Sequence, residues 1–182
     1  MTRRIQKHHR QSIRLRNRDY AESGAYFVTI CTKDRECLLG EIVDWKMNLT
    51  EFGRIILDCW NDLPSHYLNI ILDAFIIMPN HLHGIVVLTD QASVGARSPR
   101  PYKGQSSPKP PTLGMIVAYF KYQSTKKINQ IRQTPGVSFW QRNYHERVLR
   151  RHEINRYRQY IVDNPADWSR DENHPNNIKP TD

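Results

Sequence analysis

Tyr26-Phe27-Val28-Thr29-Ile30-Cys31-Thr32 is a run of β-branched and aromatic residues that predicts a strand. After the polar stretch 33–36, residues 37–43 predict a weaker second strand. The period then changes. Phe52, Ile55, Ile56, Cys59, Trp60 and Leu63 recur three and four positions apart, so an amphipathic helix is expected from Thr50, ended by Pro64. Residues 70–78 and 81–88 are apolar runs on either side of Pro79-Asn80, which predicts a hairpin. Residues 90–111 hold Pro99, Pro101, Pro108, Pro110 and Pro111 with no periodicity, as expected of a flexible, mildly basic loop. Helical spacing returns with Leu113, Ile116, Val117, Phe120, Ile128 and Ile131, followed by a predicted strand over 137–149. A last helix is expected over 152–163, stopping where Asn164 meets Pro165. The order β-β-α-β-β, loop, α-β-α places the chain in the α+β class, with an antiparallel sheet and helices packed on one face.

Composition narrows the function classes. The 182 residues suit one domain, expected over 23–168, with an N-terminal arm (1–22) and a C-terminal tail (169–182). No apolar run approaches the ~20 residues that span a bilayer, and the basic N-terminus lacks the apolar core of a secretory signal. A cytoplasmic protein is therefore expected. Cys31, Cys37 and Cys59 form no C-x-x-C pair and sit in apolar contexts, so they are expected to be reduced core residues. The formal net charge is +9, and it is clustered. The first twenty residues hold seven Lys or Arg against the single Asp19. A second cluster, Arg142, Arg147, Arg150, Arg151, Arg156 and Arg158, is interleaved with Tyr144, Tyr157 and Tyr160. Arginines among aromatic rings suit phosphates and unstacked bases, so nucleic acid is the favoured partner over an anionic membrane surface.

Two short constellations could carry chemistry. His81 and His83 flank Leu82 at the start of a predicted strand, where alternation turns both imidazoles to one face. Such a pair can ligate a divalent metal or sit hydrogen-bonded at a sheet edge, and His-x-His alone does not choose. Tyr160 and Asn164 are four apart on the last helix and share a face. A tyrosine hydroxyl can act as a covalent nucleophile or simply pack beside the stripe of Ile154, Tyr157 and Ile161.

Taken together, residues 26–32, the run Met78-Pro79-Asn80-His81-Leu82-His83-Gly84-Ile85-Val86-Val87-Leu88, Trp140-Gln141-Arg142-Asn143-Tyr144-His145-Glu146, and Tyr160-Ile161-Val162-Asp163-Asn164-Pro165 resemble the single-tyrosine HUH transposases. Within these the chain most resembles the REP-associated tyrosine transposases, over roughly residues 20–168. The resemblance implies a ferredoxin-like α+β domain that nicks and transfers single-stranded DNA at hairpins, such as palindromic repeats, through a 5′-phosphotyrosine. It assigns His81 and His83 as metal ligands, Asn164 as the polar residue that completes a Mg²⁺ or Mn²⁺ site, and Tyr160 as the nucleophile. Many family members carry Gln where this chain has Asn164.

The basic residues expected to contact DNA are Arg3, Arg4, Lys7, Arg10, Arg14 and Arg16 in the arm, and Arg142, Arg150, Arg151 and Arg156 near the last helix. Trp140, Gln141 and Tyr144-His145-Glu146 are assigned to packing or DNA contact. The resemblance implies nucleoid association and leaves monomer and homodimer both open. Two rival readings compete: a module that binds palindromic hairpins without cutting them, and a structural zinc protein using His81, His83 and His145 or His152.

Overall fold

In the computed structural model, residues 23–89 and 110–177 are described. The elements in chain order are β1 (Gly24–Cys31), β2 (Gly40–Val43), β3 (Lys46–Leu49), α1 (Glu51–Asn61), α2 (Leu63–His66), β4 (Ile70–Met78), β5 (His81–Leu88), α3 (Leu113–Arg132), β6 (His145–Leu149) and α4 (Ile154–Asp163). Four strands form one antiparallel sheet in the order β4-β5-β1-β6, and β2 and β3 pair separately as a small hairpin. The four-stranded sheet with helices packed against it is the expected α+β architecture.

Local chemistry sets the boundaries. Thr50 accepts the Gly53 N–H at 3.2 Å and caps α1, and Thr112 accepts the Met115 N–H at 3.3 Å and caps α3. α1 closes at Asn61, and Pro64 sits in the first turn of the separate α2, where its missing N–H costs nothing. β4 and β5 have the predicted limits, joined at Pro79-Asn80.

Each central strand divides its side chains between two faces. Tyr26, Val28 and Ile30 of β1 and Leu82, Val86 and Leu88 of β5 meet Ile56, Cys59 and Trp60 of α1 and Ile116, Val117 and Phe120 of α3 in the main core. Gly84 lies under Trp60: a Cβ there would fall 2.5 Å from indole Cζ2. The opposite residues, Ala25, Phe27 and Ile85, meet Ile161, Ile154 and Tyr157 of α4. Two of the helices thus share one face as expected, and α4 takes the other.

β4 carries one extra residue between Leu72 and Phe75, a bulge that keeps Leu72 and Phe75 both on the α1/α3 side. At this bulge Asp73 accepts from Arg158 of α4, with Nε 2.9 Å from Oδ1 and Nη2 2.7 Å from Oδ2, so α4 is tied to the sheet edge.

Two expectations are corrected. The predicted strand from Val137 begins only at His145. Residues 137–143 instead touch the end of β1 through one bridge, Thr32 with Trp140, and otherwise bond through their backbone to side chains of α3: Asn129 Nδ2 donates to Val137 O, and Lys121 Nζ donates to the carbonyls of Gln141, Arg142 and Asn143. Cys31 and Cys59 are buried and free, but Cys37 is exposed, since the chain there leaves the sheet for the β2–β3 hairpin. No helix among the described residues is long and apolar enough to cross a membrane.

Candidate active site and metal centre

Strand alternation in β5 turns His81 and His83 toward the α4 side, in the row that continues as Ile85 and Val87. Both imidazoles are buried, and their Nε2 atoms face each other at 3.0 Å. The surrounding hydrogen bonds decide the tautomer of His81. Asn80 Nδ2 donates to the carbonyls of Arg35 and Asn173, so its Oδ1 is the atom facing His81 Nδ1 at 2.9 Å. Nδ1 must therefore donate, and the Nε2 lone pair points into the pocket. His83 Nδ1 lies 2.9 Å from Thr29 Oγ1, its cross-strand partner. A hydroxyl can donate or accept, so His83 can hold its proton at either nitrogen.

The chain after α4 folds back over this pair. Asp171 is buried, with Oδ2 3.9 Å from His81 Nε2 and 4.0 Å from His83 Nε2. Its Oδ1 accepts the Asn173 N–H at 2.6 Å and Asn173 Nδ2 at 3.0 Å. Asn173 also accepts Asn80 at its backbone carbonyl, which locks the tail onto the hairpin turn. The ring of Trp168 lies 6.0 Å from that of His81. Among the described residues, His81, His83 and Asp171 form a group able to hold a metal ion.

α4 supplies the remaining groups. Tyr160 is 44% exposed, with Oη 3.4 Å from His83 Nε2 and its ring edge against Phe27. One turn on, Asn164 is buried; its Nδ2 donates to Asp171 Oδ2 at 3.5 Å and its Oδ1 has no hydrogen-bond partner. An amide oxygen buried without a donor is costly unless something of positive charge meets it.

Burial, and then the neighbouring His83, hold His81 far below its ordinary 6.5, so it is neutral at pH 7. Burial alone would raise the Asp171 carboxyl, but the nearby His83 and His81 imidazoles and the Asn173 N–H outweigh it and hold it below the carboxylate range. For Tyr160, burial and then the Asp171 charge push the phenol above its ordinary 10, while the hydrogen bond with Asn164 pulls the other way. The pocket thus combines the neutral His81, the His83 imidazole and one carboxylate, a donor set that suits a divalent cation.

The structure brings together His81, His83, Tyr160 and Asn164, as the sequence suggested. It adds Asp171, which sequence reasoning missed: an Asp beside Glu172 in the polar run 169–177 carries no spacing signal. His145 and His152 are exposed and lie outside the cluster, so the zinc set is not assembled. Trp140 is buried and donates from Nε1 to Ser124 Oγ at 2.9 Å, which makes it a packing residue. Arg142, Arg150, Arg151 and Arg156 are exposed, whereas Arg3, Arg4, Lys7, Arg10, Arg14 and Arg16 lie outside the described residues.

No family model matches the chain. An uncharacterized protein of Haemophilus influenzae is 38% identical over 175 residues, covering 91% of this chain and 93% of its own length. The solved structure of a REP-associated tyrosine transposase bound to a REP hairpin is similar with a TM-score of 0.56 at 18% identity, over 86% of this chain and 74% of that one. The chain belongs to one family with the Haemophilus protein and has the REP-associated tyrosine transposase fold. On this transposase fold the α4 face of the sheet is where His81, His83, Asp171 and Tyr160 meet.

Proposed function

We propose that this protein nicks and rejoins single-stranded DNA at hairpins formed by palindromic repeats, with Tyr160 as the nucleophile. The observation that carries the reading is one pocket holding a half-exposed tyrosine hydroxyl 3.4 Å from an imidazole nitrogen, beside a second imidazole, a carboxylate and an unpartnered amide oxygen. His81 Nε2, His83 Nε2 and an oxygen of Asp171 or Asn164 would hold Mg²⁺ or Mn²⁺, the mixed nitrogen and oxygen set suiting Mn²⁺ at least as well. When bound, the ion supplies Lewis-acid polarisation of the scissile phosphate. The protein's preparation for it is a proton shift. With the His83 proton on Nδ1, accepted by Thr29 Oγ1, both Nε2 lone pairs are free. A cation held beside Asp171 would also offset the carboxylate charge that, after burial, raises the Tyr160 phenol.

Tyr160 Oη attacks phosphorus in line as the bond to the 3′ oxygen breaks. The phenolic proton leaves to water on the open side of the ring, and the departing 3′ oxygen takes a proton from water. The resulting 5′-phosphotyrosine conserves the phosphodiester, so a 3′-OH can attack it and expel the phenolate. Arg142, Arg150, Arg151 and Arg156, with the arginines and lysine of the N-terminal arm, would contact the DNA backbone, making binding salt-dependent. That the similar solved structure holds a REP hairpin supports this substrate class. A protein acting on such DNA would work in the cytoplasm, at the nucleoid.

The test is a covalent-adduct assay with labelled hairpin DNA, wild type against Tyr160→Phe, in Mn²⁺, Mg²⁺ or EDTA. A denaturation-resistant protein–DNA band that requires both Tyr160 and metal is expected. Hairpin binding with no adduct under any metal would leave the non-cleaving binding module in its place.

A further inference from the structure

α4 carries Tyr160 across the sheet on a thin apolar contact. Of its ten residues only Ile161 is fully buried, with Ile154 and Tyr157 partly buried beside it. Two ion pairs add to that packing, and they reach opposite edges of the sheet, β6 and β4. At the start of α4, Glu153 accepts from Arg147 of β6 at 2.8 Å and from the Arg150 N–H at 2.9 Å. Further along, Arg158 closes a two-pronged bond on Asp73 of β4, and its Nη1 donates to Asn155 Oδ1 at 2.9 Å. Asp73 is itself aimed. It stands in the bulge of β4, where its Oδ1 also accepts the Ala74 N–H at 2.7 Å. A planar guanidinium forked onto a carboxylate held in this way is a directional contact, not a diffuse attraction.

Helical geometry links this contact to the tyrosine hydroxyl. At about 100° per residue, the stripe of Ile154, Tyr157 and Ile161 faces the sheet, with Arg158 on one flank and Tyr160 on the other. A roll of α4 that lifts Arg158 from the sheet presses Tyr160 toward it, and the reverse roll draws Tyr160 away from His83. At the ~5–6 Å outer radius of a helix, a roll of about 10° displaces a side-chain tip by about 1 Å. A displacement of that size can change a rate by about 10²-fold. The pair lies outside the pocket, on the far side of the helix from the hydroxyl, and acts on it only through α4.

We propose that Arg158 and Asp73 are positioning residues for Tyr160: their ion pair sets the roll of α4 and so holds the hydroxyl beside His83. The proposal rests on the reading of Tyr160 as nucleophile. It assigns to Arg158, a member of the basic cluster around the last helix, a role other than contact with DNA. Because a solvent-exposed ion pair contributes little to stability, its loss should appear in the rate of attack far more than in folding.

The test is single-turnover adduct formation on labelled hairpin DNA with saturating full-length protein and Mn²⁺, beside hairpin affinity measured by fluorescence anisotropy in EDTA. Arg158→Gln and Asp73→Ala should each lower the rate constant by about 10–100-fold. Hairpin affinity should stay within about twofold of wild type, and the thermal midpoint within about 3 °C. The double variant should be no slower than the slower single one, since both changes remove the same contact. Losses that multiply in the double variant would mean two independent roles and overturn the proposal. Rates near wild type in both single variants would overturn it too. So would weaker hairpin binding in Arg158→Gln alone, which would make Arg158 a DNA contact, or a fall in thermal midpoint large enough to account for the lost rate. If wild type forms no adduct on any hairpin, the nucleophile reading itself fails and the positioning role falls with it.

Discussion

The two faces of one sheet are built from the same two central strands, β1 and β5, and do different work. On the α1/α3 side, Trp60, Phe120, Tyr26 and Phe139 are fully buried around aliphatic strand residues. On the α4 side, the apolar cluster is small, its neighbour α4 buries only Ile161 fully, and the row of β5 that supplies Ile85 also supplies His81 and His83. Period-two alternation lets a single strand donate Leu82 to one face and two imidazoles to the other. The larger apolar core thus lies on the face away from the histidines. The histidine face can carry buried polar groups, each costly in isolation, because the opposite core supports them. The comparison predicts that substitutions on the two faces will separate folding from activity.

The sharpest break is expected at Tyr160→Phe. Loss of the proposed nucleophile should reduce adduct formation by at least about 10³-fold, whereas the hydroxyl sits at the pocket mouth and its removal should change folding stability by under about 1 kcal/mol. Chemical denaturation alongside the adduct assay reads both. A comparable loss of stability would mean that the α4 face is as structural as the other.

The mirror experiment is Trp60→Ala. Removing a fully buried indole should cost about 3–5 kcal/mol, seen as a lower denaturation midpoint, while adduct formation per folded molecule stays near wild type. Gly84→Ala tests the same contact from the strand side with a smaller effect. The added Cβ meets the rigid indole at 2.5 Å, so overpacking should cost about 1–3 kcal/mol. Because Gly84 stands next to His83 yet points away from it, Gly84→Ala should lower thermal stability without altering the metal dependence of cleavage. A changed metal dependence would show that the two faces are coupled through β5.

These contrasts also explain how much the sequence could disclose. Residues 70–88 were legible because both strands are long and apolar and meet at Pro79-Asn80; the parity of His81 and His83 followed at once. Tyr160 and Asn164 were legible through helical spacing and motif together. The β3 strand was not, since Lys46–Leu49, although alternating, is only four residues long, lacks β-branched and aromatic residues and pairs with β2 alone. Residues 137–143 have strand-like composition, but they meet the end of β1 through a single bridge at Trp140, and their other backbone partners are the side chains of Asn129 and Lys121, which no local pattern announces. Asp171 was illegible for the same reason. Its place is fixed by Asn173 bonding to Asn80, ninety-three positions away, and not by any feature of the tail itself.

The smallest effect expected is a pH dependence confined to the histidine face. His81 is buried beside His83 and is held below 6.5 in the folded protein, with Arg35 also disfavouring its charge and Asp171 favouring it. In the unfolded chain the same imidazole takes up a proton near 6.5. Below that pH the unfolded state binds more protons than the folded one, so stability falls as pH falls. Between pH 7.5 and 5.5 the loss from this group is about 1–1.5 kcal/mol. Asp171 does not contribute in that window, because its folded carboxyl lies below the ordinary 3.8 and its stabilisation is lost only on further acidification. Denaturation of wild type and His81→Gln in EDTA across this range isolates the term, since the other histidines are common to both proteins. Wild type should lose stability more steeply toward pH 5.5, and parallel profiles would mean that His81 is protonated within the folded pocket, with Asp171 and not burial setting its charge.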